Sequence, residues 1–282
     1  MNTCALDASV ASALCTLERR SILRPSALYL LSTGVSVLAG RLQRTGRLPL
    51  GKLDGAPRAW SDSLLHFGLL EGLPVWLLEN SPLDREPQEP EWQRAWPLWL
   101  AASAGASTFV HTTAGSALVP ELAPGTIAML KDHVNLSGGT PLEALGASRL
   151  GGQFPDVSRV HDKALRRSAL ELARSLGLAA RETVAACAVG PALETPAERG
   201  WMARCGVEAS AQDLAPTLLA AAHAGLGGLC MLVVVHSGDA DLDIAQVAAR
   251  AEAIAPALDD LLAKLAVAVQ REARDRLEGR GA

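Results

Sequence analysis

Short apolar runs of five to seven residues recur along the chain, set apart by glycine- and proline-marked turns. Runs without polar alternation are the pattern of strands buried on both faces, as in a parallel sheet. Residues 26–31 (SALYLL), 64–70, 73–78, 108–112, 125–130 (GTIAML), 183–189 (TVAACAV) and 229–235 (LCMLVVV) therefore predict strands. Glu71-Gly72, between the second and third, predicts a hairpin. Helical spacing appears over 3–20, 92–104, 162–176 and 216–224, with Gly177 and Gly225 ending the last two. It appears again over 244–276, where Pro256 predicts a break or kink. Strands alternating with helices predict one α/β domain with a mostly parallel or mixed sheet over residues 1–282. No internal repeat or linker divides it.

The stretch 183–200, TVAACAVGPALETPAERG, carries the densest signals. Its apolar run stops at Gly190-Pro191, and a helix start follows at Thr195-Pro196-Ala197-Glu198. Thr195 suits the cap, Pro196 the first helical position, and Glu198 completes a capping box. Open α/β sheets bind ligands beyond the carboxyl ends of their strands. Glu194 lies on this loop, where position alone reads as a solvated carboxylate. Similar glycine loops are expected at Ser32-Thr33-Gly34, Thr113-Ala114-Gly115-Ser116 and His236-Ser237-Gly238-Asp239. Such turns present backbone N–H groups to anions, although many serve turn geometry alone.

Composition narrows the classes. The 49% apolar content over 282 residues supplies a large core. A net charge of −4 gives no basic stripe for nucleic acid, and no apolar run reaches the length of a membrane span. The first residues lack the basic segment of a secretory signal. The five scattered cysteines (Cys4, Cys15, Cys187, Cys205, Cys230) read as reduced thiols, which predicts a cytoplasmic protein. The six histidines show no metal-ligand spacing, and neither a metal nor a cofactor is expected. Residues 79–91, ENSPLDREPQEPE, hold three prolines and five acids and predict a mobile acidic loop, either a solvated insertion or a lid.

Two segments carry a family resemblance. Asp132-His133-Val134-Asn135-Leu136 resembles the DHINL segment of trimeric purine nucleoside phosphorylases and methylthioadenosine phosphorylases. Gly190-Pro191-Ala192-Leu193-Glu194-Thr195-Pro196-Ala197-Glu198 resembles their GPxxET-x-AE signature. Phe154-Pro155 and the helix from Asp162 fall where the family has a loop and helix. The resemblance spans about residues 24–270, specific in the second half and loose in the first. It implies a single α/β domain, a twisted mixed β-sheet flanked by helices, a homotrimer, and transfer of a pentosyl group from a purine to phosphate.

Carried over residue by residue, the resemblance implies a partly retained site. Glu194 and neighbouring Leu193 match the base-binding segment, and His236 stands where the family has an asparagine at the purine N7. A histidine near neutral pKa could protonate a leaving base, and Asp239 is a second candidate. Gln212 replaces a methionine under the ribose, and Phe154 matches a phenylalanine that packs on the sugar of the neighbouring subunit. Thr33 and Ala114 match phosphate-loop positions. The family's arginine-and-histidine segment, however, falls on Asn80-Ser81-Pro82-Leu83, and Asp213 falls where it has a phosphate-binding serine. A carboxylate repels a dianion, and losing the arginine removes a bidentate clamp. Phosphate is thus a doubtful co-substrate unless Arg85 substitutes for the missing cation.

Three readings stay open. The chain acts on a nucleoside-like ligand, with phosphate or a water oriented by Asp213 as acceptor. Alternatively, the pocket serves another small-molecule reaction with His236, Glu194 and Asp213 as acid/base groups. In the third, it is a non-catalytic relative kept for binding or assembly.

Overall fold

The computed structural model describes residues 4–32, 37–79, 89–143, 145–190, 192–212, 214–237 and 243–279. The chain runs α1 (Ala5–Arg19), β1 (Ala27–Leu31), β2 (Gln43–Pro49), β3 (Leu64–Leu70), β4 (Leu73–Glu79), α2 (Trp96–Ala104) and β5 (Thr108–Ala117). It continues through β6 (Ile127–Asn135), α3 (Lys163–Ser175), β7 (Ala180–Ala188), α4 (Pro196–Arg204), β8 (Ala209–Gln212), α5 (Leu214–His223), β9 (Gly227–Ser237) and α6 (Ile244–Gly279).

Among the described residues the nine strands form one mixed sheet, ordered β2-β3-β4-β1-β5-β8-β7-β6-β9, and β9 returns to pair with β5. Five strands thus close into a ring, and β1, β4, β3 and β2 extend from it as a flap. Closure leaves the ring without a free edge to recruit foreign strands.

The unbroken apolar runs are explained by apolar layers on both faces. Along β1, Leu28 and Leu30 pack on one side with Trp60, Trp96, Trp99 and Leu218. Tyr29 and Leu31 face the other side, with Leu165, Leu258, Leu262 and Val269. In β9, Cys230, Leu232 and Val234 alternate with Met231, Val233 and Val235 in the same way. Each fully buried large side chain contributes about 1.5–3 kcal/mol, so a strand buried on both faces has little tolerance for a polar residue. The first layer holds α1, α2 and α5 and the second α3 and α6.

The structure corrects one of these expectations and extends others. The loop expected at Thr113–Ser116 is strand: β5 runs on to Ala117, paired with β9 on one side and, from Gly115, with β8 on the other. Gly115 serves close approach rather than a turn, because a Cβ there would strike the Ser210 carbonyl and the Leu232 side chain. Asp132–Asn135 likewise continues β6, in register with Val184–Cys187 of β7. Two strands gave no apolar run: β2, which is mostly exposed, and β8, only four small residues long. Finally, of the break or kink expected at Pro256 the break does not occur, since α6 runs through it as one helix. Proline there forfeits one backbone hydrogen bond, while Leu258, Leu261, Leu262, Leu265 and Val269 bury the following turns and hold the helix on the sheet.

Two buried polar groups tie these layers together. Asp162 caps α3, accepting from the N–H groups of Ala164 (2.8 Å) and Leu165 (2.9 Å), and also pairs with Arg276 of α6. Removing it takes away a cap and strands a half-buried guanidinium. Asp162→Ala is therefore expected to cost about 2–4 kcal/mol in urea unfolding. His111 on β5 is 3% exposed and hydrogen-bonds the Leu30 carbonyl through Nδ1 at 2.9 Å. Burial pushes its pKa from 6.5 to about 4, with the Leu30 bond opposing the shift. Its folded pKa is depressed, so between those values the unfolded chain binds a proton that the folded chain lacks. Stability from this group is complete above pH 6.5 and falls, approaching about 1.4 kcal/mol per pH unit, as pH drops toward 4. His111→Gln should flatten this part of the acid limb when urea midpoints are compared from neutral pH down to about 4.5.

Candidate functional site

The capped turn expected after β7 is present in full. Thr195 Oγ1 accepts from the N–H of Glu198 at 3.3 Å, and Glu198 Oε2 accepts from the N–H of Thr195 at 2.7 Å. Pro196 occupies the first turn of α4. This reciprocal cap fixes where the preceding loop must end. A further tie holds the loop from within α4, where Arg199 Nη1 donates to the Glu194 carbonyl at 2.7 Å. Glu194 and Leu193 are half-buried. The Glu194 carboxylate makes no hydrogen bond or ion pair among the described residues, so its backbone is held while its charge stays uncommitted.

Gln212 meets this loop from below. It closes β8 beside Ala188, the last residue of β7, and its Nε2 donates to the Ala192 carbonyl at 3.1 Å. Gly190 makes the contact possible, since a Cβ there would collide with the Gln212 carboxamide. Gly115 pairs with Ala211, so Ala114 and Gln212 are the next residues of the two strands at the same level. The structure therefore brings Ala114, Gln212, Leu193 and Glu194 into one region.

His236 lies about 7 Å further along the same ladder, two residues of strand away. It pairs with Ser116, whose other neighbour is Ser210. A bulge puts it there: Gly115 pairs with Val234 and Ser116 with His236, leaving Val235 as the extra residue. By strict alternation His236 would follow Leu232 and Val234 into the first core layer. The bulge re-registers it with Ser116, the use bulges commonly have beside functional sites. His236 is buried, and Ser237 beyond it lines a cavity of about 170 Å³ together with Ala117, Pro120, Pro196, Arg199 and Gly200. That cavity joins the end of β9 to the first turns of α4. Arg199, which holds the Glu194 loop and lines the cavity, escaped sequence reasoning; its place four residues after the Thr195 cap was the available signal.

Phe154 does not join this group. It stands 91% exposed in the loop before α3. Thr33, Asp213, Asp239, Arg85 and the segment 80–83 lie outside the described residues. The buried thiols are not candidate nucleophiles: burial pushes Cys187 up to about 12 and Cys230 well above its ordinary value.

A second constellation was hidden by the spacing of the histidines. His133 on β6 and His161, just before α3, meet with Nδ1 and Nε2 3.0 Å apart, their rings edge to face. Exposed Asp132 completes a group whose ligand atoms all lie within 4.8 Å of one another. Burial lowers both imidazole pKa values, that of His161 to about 4 with His133 as a second cause.

Comparison with known proteins agrees with this architecture. The family model of the phosphorylase superfamily matches residues 38–267. Purine nucleoside phosphorylase 1 of Geobacillus stearothermophilus is 30% identical over 200 residues, covering 70% of this chain and 73% of the relative. The Bacillus subtilis protein of the same name is 25% identical over 217 residues, covering 76% and 80%. Among solved structures, isoform 2 of purine nucleoside phosphorylase from Schistosoma mansoni, in complex with cytosine and ribose-1-phosphate, superposes with a TM-score of 0.86 at 20% identity. That match covers 94% of this chain and 97% of the other, and at this identity it shows the fold. In the described residues no helix is long and apolar enough to cross a membrane. With the family model spanning most of its length, the chain belongs to the phosphorylase superfamily.

Proposed function

We propose that this protein binds purine nucleosides and cleaves their N-glycosidic bond. The observation that carries the reading is the Glu194 carboxylate, uncommitted in charge but held in place through the Thr195–Glu198 cap, Arg199 and the Gln212–Ala192 contact. A carboxylate so placed accepts hydrogen bonds from the N–H edge of a purine. The curated relatives named purine nucleoside phosphorylase support the substrate class.

Cleavage of this bond builds positive charge on the sugar and negative charge on the departing base. Glu194 would anchor the base edge, and His236, registered to Ser116 by the bulge, would share a proton with the leaving nitrogen. Gln212 and Ala114, beside the loop, would contact the sugar and the acceptor. This is positioning and electrostatic work rather than covalent catalysis. The 91% exposure of Phe154 supports a further element: in a homotrimer its ring would close the sugar site of the next subunit. For the acceptor, Asp213 in place of a phosphate-binding serine favours water over phosphate.

Two experiments follow. Glu194→Gln should weaken inosine or guanosine binding by about 10- to 100-fold, the effect of losing a charged hydrogen-bond acceptor, when read by calorimetry. Unchanged affinity would remove Glu194 from the site. Incubating the protein with a purine nucleoside, with and without phosphate, identifies the acceptor. Free pentose at equal rates in both samples is expected. Phosphate-dependent pentose 1-phosphate would establish phosphorolysis instead, and no product with either would sink the catalytic reading.

A further inference from the structure

We propose that Asp132, His133 and His161 form a binding site for a divalent transition-metal ion of the zinc class. The site stands on its own geometry and is independent of the reaction assigned above.

Both halves of the triad are anchored through their backbones. Asp132 and His133 sit on β6 directly after an irregularity at Lys131, where Leu130 pairs with Thr183 and Asp132 with Val184. His161 forms an isolated parallel bridge with Gly228 of β9. Around that bridge, the N–H of Gly228 donates to Val160 (2.9 Å) and that of Asp162 to Gly228 (2.8 Å). A metal site built between two such fixed points loses little entropy on binding.

The distances suit an ion. Two nitrogens bound to tetrahedral zinc at about 2.0–2.1 Å lie about 3.3 Å apart, set by the tetrahedral angle. His133 Nδ1 and His161 Nε2 stand 3.0 Å apart, so admitting a metal needs a separation of a few tenths of an ångström. One Asp132 oxygen accepts from the backbone N–H of His133 at 2.8 Å, which orients the carboxylate and leaves its second oxygen to coordinate. The ligand atoms span at most 4.8 Å, so the exposed Asp132 side chain has the larger adjustment to make. Two imidazoles and one carboxylate are ligands of zinc-like ions, whereas magnesium and calcium call for oxygen alone. Asp132 faces solvent and provides the path of entry.

The arrangement also bounds the affinity. His161 Nδ1 is buried and without a hydrogen-bond partner among the described residues. Metal at Nε2 moves the ring proton to Nδ1, where no carbonyl or carboxylate receives it. Lacking that support, sites bind about 10- to 100-fold more weakly than fully built ones.

Its consequence lies in the chain between the ligands. Residues 134–160 run from one side of the triad to the other and carry exposed Phe154. An ion held by both ends clips the base of this segment in the folded protein, the state that presents the three ligands together.

The test uses full-length protein stripped with a chelator and dialysed, in a Cys15→Ser/Cys205→Ser background so that exposed thiols do not compete. Zinc titration by calorimetry, with cobalt(II) absorption for geometry, is compared with His161→Phe and His133→Asn. The expected result is one equivalent bound by the parent, visible cobalt bands, and slower proteolysis within 134–160 when zinc is added. Each variant should lose that equivalent, or weaken it at least about 10-fold, and lose the zinc-dependent protection while melting as a folded protein in chelator. Should His161→Phe fail to fold, His133→Asn gives the same reading. Equal affinity in the parent and both variants, or no saturable binding in the parent, would overturn the site.

Discussion

The site depends on one strand changing partners part-way along. The first half of β5 lies between β1 and β9; from Gly115 onward β8 takes the place of β1. This switch turns an open sheet into a closed ring, and it happens where a side chain is missing. Ser210 approaches the backbone of Gly115 from one side while Leu232 packs beneath it. A larger residue would hold β8 away, and with it Gln212, the loop that Gln212 supports, and the level at which Glu194 stands. The chemistry at the ring's mouth is thus coupled to the absence of a single methyl group in its wall.

Within this frame, departures from regular pairing decide which side chains reach functional positions. The bulge at Val235 brings His236 level with Ser116, and the irregularity at Lys131 precedes Asp132 and His133. In both cases a strand that buries apolar residues on either side delivers polar ones at its carboxyl end. The ordered part of the strand provides stability, and the irregular part provides placement.

The fold was largely legible in the sequence because burial on both faces leaves unbroken apolar runs, as in β1, β4, β7 and β9. The turn after β7 was legible for another reason: its cap is made by Thr195 and Glu198, three residues apart, so the signal is local. What could not be read is non-local or unpatterned. β8 is four small residues that count as strand only because β5 and β7 flank them. Gly115 looked like a turn because glycine's need for space and its freedom at turns leave the same mark in sequence. His133 and His161 meet across 28 positions, beyond any ligand spacing a linear reading would test. At Pro256 the sequence left a break and a kink equally open, because the packing against the sheet that keeps the helix continuous is invisible locally.

Helix α6 has a bearing on how the molecule is made. Its residues reach far back along the chain: Asp259 accepts from the N–H of Val37, Ala273 from the hydroxyl of Ser107, and Arg276 clasps Asp162. These bonds bridge 222, 166 and 114 positions, and the helix supplies much of the apolar cover for one side of the sheet. A nascent chain can pair its strands early, yet on that side α3 alone covers the sheet until α6 has emerged. Closure of the fold therefore waits for α6, and until then the growing chain presents an apolar face of the kind chaperones recognise.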